Sequence, residues 1–201
     1  NGLAIDREWA SFWAEHGFLL GLSIDCHQEI HDRFRRDTED EGTFGRCLEA
    51  ARTLAEHGVD FNILCVVTRQ IAERPYEVYD FLKRHGFRYA QFIPCLDDLD
   101  EVRGGNPYSL EADVFGGFLK GLFDRWHEDF LKGDYYSIRF FDNSIRLLMG
   151  EPPEHCAAVG SCRGYPLIEA DGTVYPCDFY AQDRYAIGHV ETDSYARMLG
   201  G

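Results

Sequence analysis

Over its first 150 residues the chain alternates between two hydrophobic periods, and that alternation leaves few folds open. Phe18 to Ile24, Phe61 to Val67, Tyr89 to Ile93 and Tyr136 to Phe140 are short apolar runs of strand length. Stretches of helical period separate them. Asp6 caps a helix with Trp9, Phe12 and Trp13 on one face. Thr43 caps a second, striped by Phe44, Cys47, Leu48, Ala51, Leu54 and Ala55 and ended by Gly58. Pro75 opens a third, with Val78, Phe81 and Leu82 inward and Gly86 as its stop. Ser109 starts a long one carrying Val114, Phe115, Phe118, Leu119, Leu122, Phe123 and Trp126. A short helix running to Gly150 follows the last strand. Strand–helix repeats of this kind build a parallel sheet with helices outside. Four strands are too few to close a barrel, so the expected fold class is α/β, a partial (βα) barrel. Chemistry in such folds lies just beyond the C-terminal ends of the strands. Here those positions are Ser23 to Asp25, Thr68, Pro94 to Leu96, and Phe141 to Asn143.

After Pro152-Pro153 the helical period stops. Leu167 to Ala170, the turn Asp171-Gly172, and Thr173 to Tyr175 read as a β-hairpin, with Cys177 directly after it. A boundary near Glu151 divides the chain into residues 1–150 and 151–201. The acidic stretch Asp37 to Glu41 reads as a solvated loop.

Hydrophobic residues at 45 % and aromatics at 14 % suit a buried-core protein. No apolar run approaches a membrane span. A net charge of −15 argues against nucleic acid or an anionic membrane as partner. Solubility accounts for that charge, which also suits a basic peptide. The chain opens without an initiator Met or a signal pattern, which suggests a fragment. Of seven cysteines, Cys47 and Cys65 sit in apolar patterns and read as core. Cys156, Cys162 and Cys177 crowd one region, which without a secretory signal favours metal over disulfides.

Those three thiols suit iron–sulfur clusters or zinc. A cubane cluster usually takes four cysteines, so a fourth ligand must come from elsewhere. His155 and His189 are the alternative that would complete a zinc site; three unligated cysteines in a small β domain is the competing reading, disfavoured because the spacing brackets a hairpin that would fold them together. Asp178 adjoins Cys177 and can act as a general base or simply form a turn. A second group is Ser23-Ile24-Asp25 with His31-Asp32 and Arg35. A Ser hydroxyl and an Arg guanidinium suit the carboxylate of an amino-acid-like cofactor. Loop capping and a surface ion pair compete with that reading. Asp142 is a pocket acid or a helix cap.

The segment Leu20-Gly21-Leu22-Ser23-Ile24-Asp25 followed by His31-Asp32-Arg33-Phe34-Arg35 resembles the fourth-strand motif of radical S-adenosylmethionine enzymes with auxiliary clusters. Phe61 to Val67 and Gln91-Phe92-Ile93-Pro94 resemble the next two barrel strands of the sulfatase-maturating branch. Gly172 to Tyr180 and Ile187-Gly188-His189-Val190 are similar to that branch's entry into its twin-cluster (SPASM) domain. The resemblance, to the anaerobic sulfatase-maturating enzymes, covers almost the whole chain with several motifs in order. It implies that residues 1–150 are the later part of a radical S-adenosylmethionine barrel and 151–201 the start of the auxiliary domain. It implies oxidation of a Cys or Ser side chain in a sulfatase to Cα-formylglycine, with S-adenosylmethionine and [4Fe-4S] clusters as cofactors. Ser23, Arg35 and Leu96 would contact S-adenosylmethionine. Cys156, Cys162 and Cys177 would hold an auxiliary cluster, and Asp178 would be the base. A sulfatase polypeptide would be the substrate, flavodoxin or ferredoxin the electron donor, and the cytoplasm the location.

The sequence also departs from that family. The three-cysteine motif of the radical-generating cluster, the early strands and the later auxiliary cysteines are not in this chain. Cys26 stands where the family usually has Gly. The expectation is therefore a fragment, inactive alone and poorly soluble through its open sheet edge. Competing readings are another peptide-modifying radical enzyme that forms thioether crosslinks, and a non-catalytic zinc-binding module.

Overall fold

The computed structural model describes residues 1–154, 156–160, 162 and 165–200. The chain divides into two units, Asn1–Ile145 and Arg146–Gly201. In the first, α1 (Arg7–Glu15) leads into β1 (Leu19–Ser23), α2 (Gln28–Phe34) and α3 (Phe44–Glu56). Then come β2 (Asp60–Val67), α4 (Arg69–Ala72), α5 (Pro75–His85), β3 (Tyr89–Pro94), α6 (Ala112–Leu131), β4 (Ser137–Ile138) and α7 (Arg139–Leu148). The strands form one sheet in the order β1-β2-β3-β4, every pair parallel. The fold is thus the expected α/β arrangement of a parallel sheet with connecting helices.

The core follows from the periods. Along β2 the residues Ile63, Cys65 and Val67 are fully buried and alternate with half-buried neighbours. They pack with Leu22 and Ile24, with Cys47, Ala50 and Ala51 of α3, and with Val78, Phe81 and Leu82 of α5. Phe118 and Leu122 of α6 join the same core. Each fully buried side chain of this size contributes about 1.5–3 kcal/mol over leaving it exposed. Pro75 takes the first position of α5, and Gly86 ends it in the left-handed conformation at φ 68°.

One cap and two boundaries differ from expectation. The Thr43 side chain makes no capping bond, and Asp32 Oδ1 instead accepts from the Phe44 N–H at 2.8 Å. α6 begins at Ala112, because Ser109 is held in the preceding turn by Asp97 and Asn106. β4 is only two residues long and α7 follows at once, so Phe141 to Asn143 are helical rather than strand-end residues. Asp142 accepts hydrogen bonds from the Tyr135 and Ser137 hydroxyls, a structural role. In α1, Asp6 caps as expected, accepting from Trp9 N–H at 2.8 Å. Trp9 and Phe12 are nevertheless largely exposed, since Trp9 stacks on Trp13 and Phe12 leans on Phe18, while Ala10 is the residue buried.

The second unit is built of short elements: α8 (Cys156–Val159), β5 (Leu167–Ile168), β6 (Thr173–Tyr175), β7 (Gly188–His189) and α9 (Tyr195–Leu199). Its strands form an antiparallel sheet in the order β5-β6-β7. The predicted hairpin is β5–β6. Gly172 sits in its turn at φ 91°, a conformation costly for any residue with a Cβ, and Asp171 Oδ1 accepts from Thr173 N–H at 2.9 Å. Among the described residues of this unit, only Val174 and Tyr175 are buried hydrophobic side chains. No described helix is long and apolar enough to cross a membrane.

Candidate functional site

The ends of the parallel strands define the site. β1 stops at Ser23, and its ladder to β2 continues through the Ile24 N–H, which donates to Leu64 O at 3.0 Å. The next partner is a side chain: Asp25 Oδ1 accepts the Val66 N–H at 3.0 Å. Asp25, only 4 % exposed, also receives Arg35 Nε at 2.5 Å and Arg35 Nη2 at 3.1 Å. Arg35 directly follows α2, so the helix carries it back across the strand ends. Burial alone would lower its pKa; the hydrogen bonds and charge of Asp25 outweigh that and raise it, so the guanidinium stays charged.

Behind this pair lies His31, fully buried. Its Nδ1 accepts from the Asp25 N–H at 3.2 Å and its Nε2 lies 3.0 Å from Thr43 Oγ1. Thr43 Oγ1 donates to the Arg35 carbonyl at 2.9 Å. Desolvation lowers the His31 pKa, in spite of the opposing charge of Asp25, and so favours the neutral ring.

A cleft of about 310 Å³ opens at this edge, lined by Asp25, Ile30, Phe34, Arg35, Val66, Thr68, Cys95 and Tyr108. Phe34 and Tyr108 meet edge to face, with ring centroids 6.1 Å apart. Thr68 Oγ1 is buried without a hydrogen-bond partner. Burial, then the charges of Asp97 and Asp25, push the Cys95 thiol up, so it remains protonated. A larger cavity of about 720 Å³ lies at the opposite edge, by Asp60, Phe61, Arg88 and Tyr89 at the strand starts. In parallel α/β folds the strand C-termini carry the chemistry, so the smaller cleft is the candidate site. An orphaned hydroxyl and a guanidinium with donors to spare fit a polar ligand bearing a carboxylate.

Of the predicted residues, Arg35 lies in this cleft. Ser23 ends β1, half-buried, and Leu96 is exposed two residues beyond β3. Sequence reasoning grouped Asp25 with Arg35 and put Cys95 at a strand end; it missed the two-bond pairing of the first two, the part played by Thr43, and Tyr108 in the cleft wall. No periodicity links residues that meet across a turn. Cys26 adopts φ 52°, a conformation that favours Gly, and is buried next to Cys65. A hydrogen bond to Cys26, followed by burial, holds the Cys65 thiol well above its ordinary value, and both side chains lie in the hydrophobic core.

In the second unit, Cys156 lies in α8, half-buried; Cys162 is exposed; Cys177 is half-buried and immediately precedes the 3-10 turn Asp178–Tyr180. Asp178 is exposed. All three thiols are free, and among the described residues no three metal-binding side chains are gathered closely enough to hold an ion. As donors the thiols suit an iron–sulfur cluster; as placed they do not form its cage. His189, offered as a zinc ligand, instead fastens the hairpin, with Nε2 2.8 Å from Asp171 O and Nδ1 accepting from Glu191 N–H. His155, the other candidate, lies outside the described residues.

Residues 161–201 match the SPASM family, described as an iron–sulfur cluster-binding domain. The chain is 41 % identical to a cysteine-type anaerobic sulfatase-maturating enzyme of Clostridium novyi, over 99 % of this chain and 53 % of that protein. A serine-type enzyme of Bacteroides thetaiotaomicron is 29 % identical over 99 % of the chain and 51 % of its own length. Among solved structures, native anSMEcpe with bound AdoMet and Kp18Cys peptide superposes with a TM-score of 0.90 at 42 % identity, covering 98 % of this chain and 55 % of that one. The chain spans about half the length of the curated relatives it matches. Over nearly its whole length, therefore, it is a homologue of about half of an anaerobic sulfatase-maturating enzyme.

Proposed function

We propose that this chain contributes the S-adenosylmethionine carboxylate site and the entry to the auxiliary-cluster domain of a radical enzyme that oxidises a sulfatase cysteine to Cα-formylglycine. The observation that carries the reading is identity of 41–42 % to cysteine-type maturases and their structures across nearly the whole chain. Identity to serine-type relatives is 28–29 %, which favours a cysteine substrate. A sulfatase polypeptide is then the partner, with flavodoxin or ferredoxin as electron donor in the cytoplasm.

S-adenosylmethionine, cleaved by a reduced cluster, supplies the radical that takes a substrate hydrogen, and an auxiliary cluster supplies an electron acceptor. Everything else falls to the protein. Arg35 holds the cofactor carboxylate through charge-assisted hydrogen bonds. Ser23, at the end of β1, and Leu96, beyond the end of β3, complete the cofactor contact. Asp178, a carboxylate in water next to Cys177, receives the proton that the substrate thiol must lose. Cys156, Cys162 and Cys177 would supply the thiolates for the auxiliary cluster.

The test is an anaerobic assay of the iron- and sulfide-reconstituted holoenzyme on a sulfatase peptide, with and without Asp178→Asn. Formylglycine that vanishes in the variant while S-adenosylmethionine cleavage persists supports both the reaction and the base. Cleavage with an untouched peptide in both proteins removes the sulfatase assignment.

A further inference from the structure

We infer that Asp25 is a positioning residue: with His31 and Thr43 it aims the Arg35 guanidinium at the carboxylate of the bound cofactor. The inference rests on the proposed reading of Arg35 as the carboxylate-binding residue and extends it to groups that do not touch the ligand themselves.

A guanidinium has five N–H donors in a rigid fork. Asp25 takes the Nε donor and one from Nη2, at 2.5 and 3.1 Å, which fixes the plane of the group and leaves three donors uncommitted. The Arg35 side chain is 27 % exposed and lines the cleft, so those donors face a place a ligand can occupy. Asp25 is itself immobile, because the Val66 N–H of β2 anchors the same carboxylate.

The backbone of Arg35 is fixed just as firmly. Thr43 has a single hydroxyl proton, and it goes to the Arg35 carbonyl. His31 must then donate to Thr43 from Nε2, which leaves Nδ1 as the acceptor that the Asp25 N–H requires. The bonds run Asp25 to Arg35, Arg35 to Thr43, Thr43 to His31, and His31 back to Asp25. No donor in the ring is duplicated and no acceptor on His31 is idle. Thr43 is free for this service because Asp32 has taken over the cap of α3. A helix-capping threonine would have served stability alone; this one holds the carbonyl of a cleft arginine.

A positioning role and a merely structural one separate in binding. S-adenosylhomocysteine carries the carboxylate; 5′-methylthioadenosine keeps the adenosine and thioether without it. Calorimetry with both, on the reconstituted holoenzyme, compares wild type, Asp25→Asn, Thr43→Val, Thr43→Ser and Arg35→Gln. Asp25→Asn is expected to weaken S-adenosylhomocysteine about tenfold and 5′-methylthioadenosine less than about twofold, the loss typical of disturbing a charged hydrogen bond. Thr43→Val, which leaves the Asp25–Arg35 pair in place, moves the same ratio by a smaller factor, and Thr43→Ser restores it. Equal weakening of both ligands by Asp25→Asn and by Thr43→Val makes the ring structural and overturns the inference. If Arg35→Gln does not change the ratio, the fault lies with the carboxylate reading. If it does change while Asp25→Asn and Thr43→Val leave it unmoved, the positioning role alone is lost.

Discussion

The two units differ in what holds them together. In residues 1–145 four parallel strands and three long helices pack against one another side chains such as Ile63 and Val67 of β2, Leu82 of α5 and Leu122 of α6, all without solvent exposure. In residues 146–201 three strands of two or three residues bury Val174 and Tyr175, while Tyr165, Ile168, Phe179, Tyr180 and Tyr195 stay exposed. The first unit rests on apolar burial. The second keeps its form through local hydrogen bonds, such as those of His189, Asp171 and Ser194. Small domains of this kind usually need metal or disulfides to be stable, and this one has free thiols.

Metal loading is the strongest way to test that contrast. Structural metal sites turn binding into folding free energy, on the order of 10 kcal/mol in zinc fingers. Reconstitution with iron and sulfide is expected to slow amide exchange by orders of magnitude within residues 165–200 and to leave residues 61–67 unchanged. Equal exchange before and after loading would break the contrast.

Core truncation comes next. Leu82→Ala should cost about 3 kcal/mol in urea unfolding of the first unit, and Ile168→Ala, on an exposed side chain, within about 0.5 kcal/mol. Comparable losses at the two positions would show that the second unit has a core of its own.

Polar contacts inside the first unit rank third. Asp129 accepts from Tyr79 Oη at 3.2 Å and from Lys83 Nζ at 2.5 Å, and the Lys83 bond holds its carboxyl below the usual range. Asp129→Ala leaves the buried Tyr79 hydroxyl without that acceptor and should cost about 2 kcal/mol by the same unfolding measurement. A loss confined to a few tenths would mean that water replaces the carboxylate there.

The smallest effect is a pH slope. Burial lowers His31, and burial together with Arg84 and Arg52 lowers His85. The unfolded chain therefore binds protons that the native state refuses. Stability of the first unit should be level above about pH 6.5 and fall as pH drops below that value. His31→Gln should flatten part of the slope in a series of thermal melts. A slope unchanged by the substitution would assign it all to other groups.

The strand ends were legible because the change of period marks them, and Ser23, Thr68 and Pro94 to Leu96 lie where the alternation puts them. Tyr136 to Phe140 misled, since a short apolar run suits the start of a buried helix as well as a strand. Asp25 and Arg35 were both noticed, but their partnership is a matter of where a turn sends the chain, and the nine intervening residues carry no period for it. The cysteines show the opposite limit. Their crowding pointed to iron–sulfur or zinc chemistry, while the described structure does not gather the three thiols.

Chain order turns this contrast into a schedule. Synthesis adds about 5–20 residues per second. Consecutive strands pair with one another throughout the parallel sheet, so it can assemble while the second unit is still being made. If Cys156, Cys162 and Cys177 hold the proposed auxiliary cluster, they emerge after the sheet is complete and depend on metal from then on. A cell short of iron would accumulate chains intact through the sheet and open to proteases after it, and trimming from that side would record the shortage.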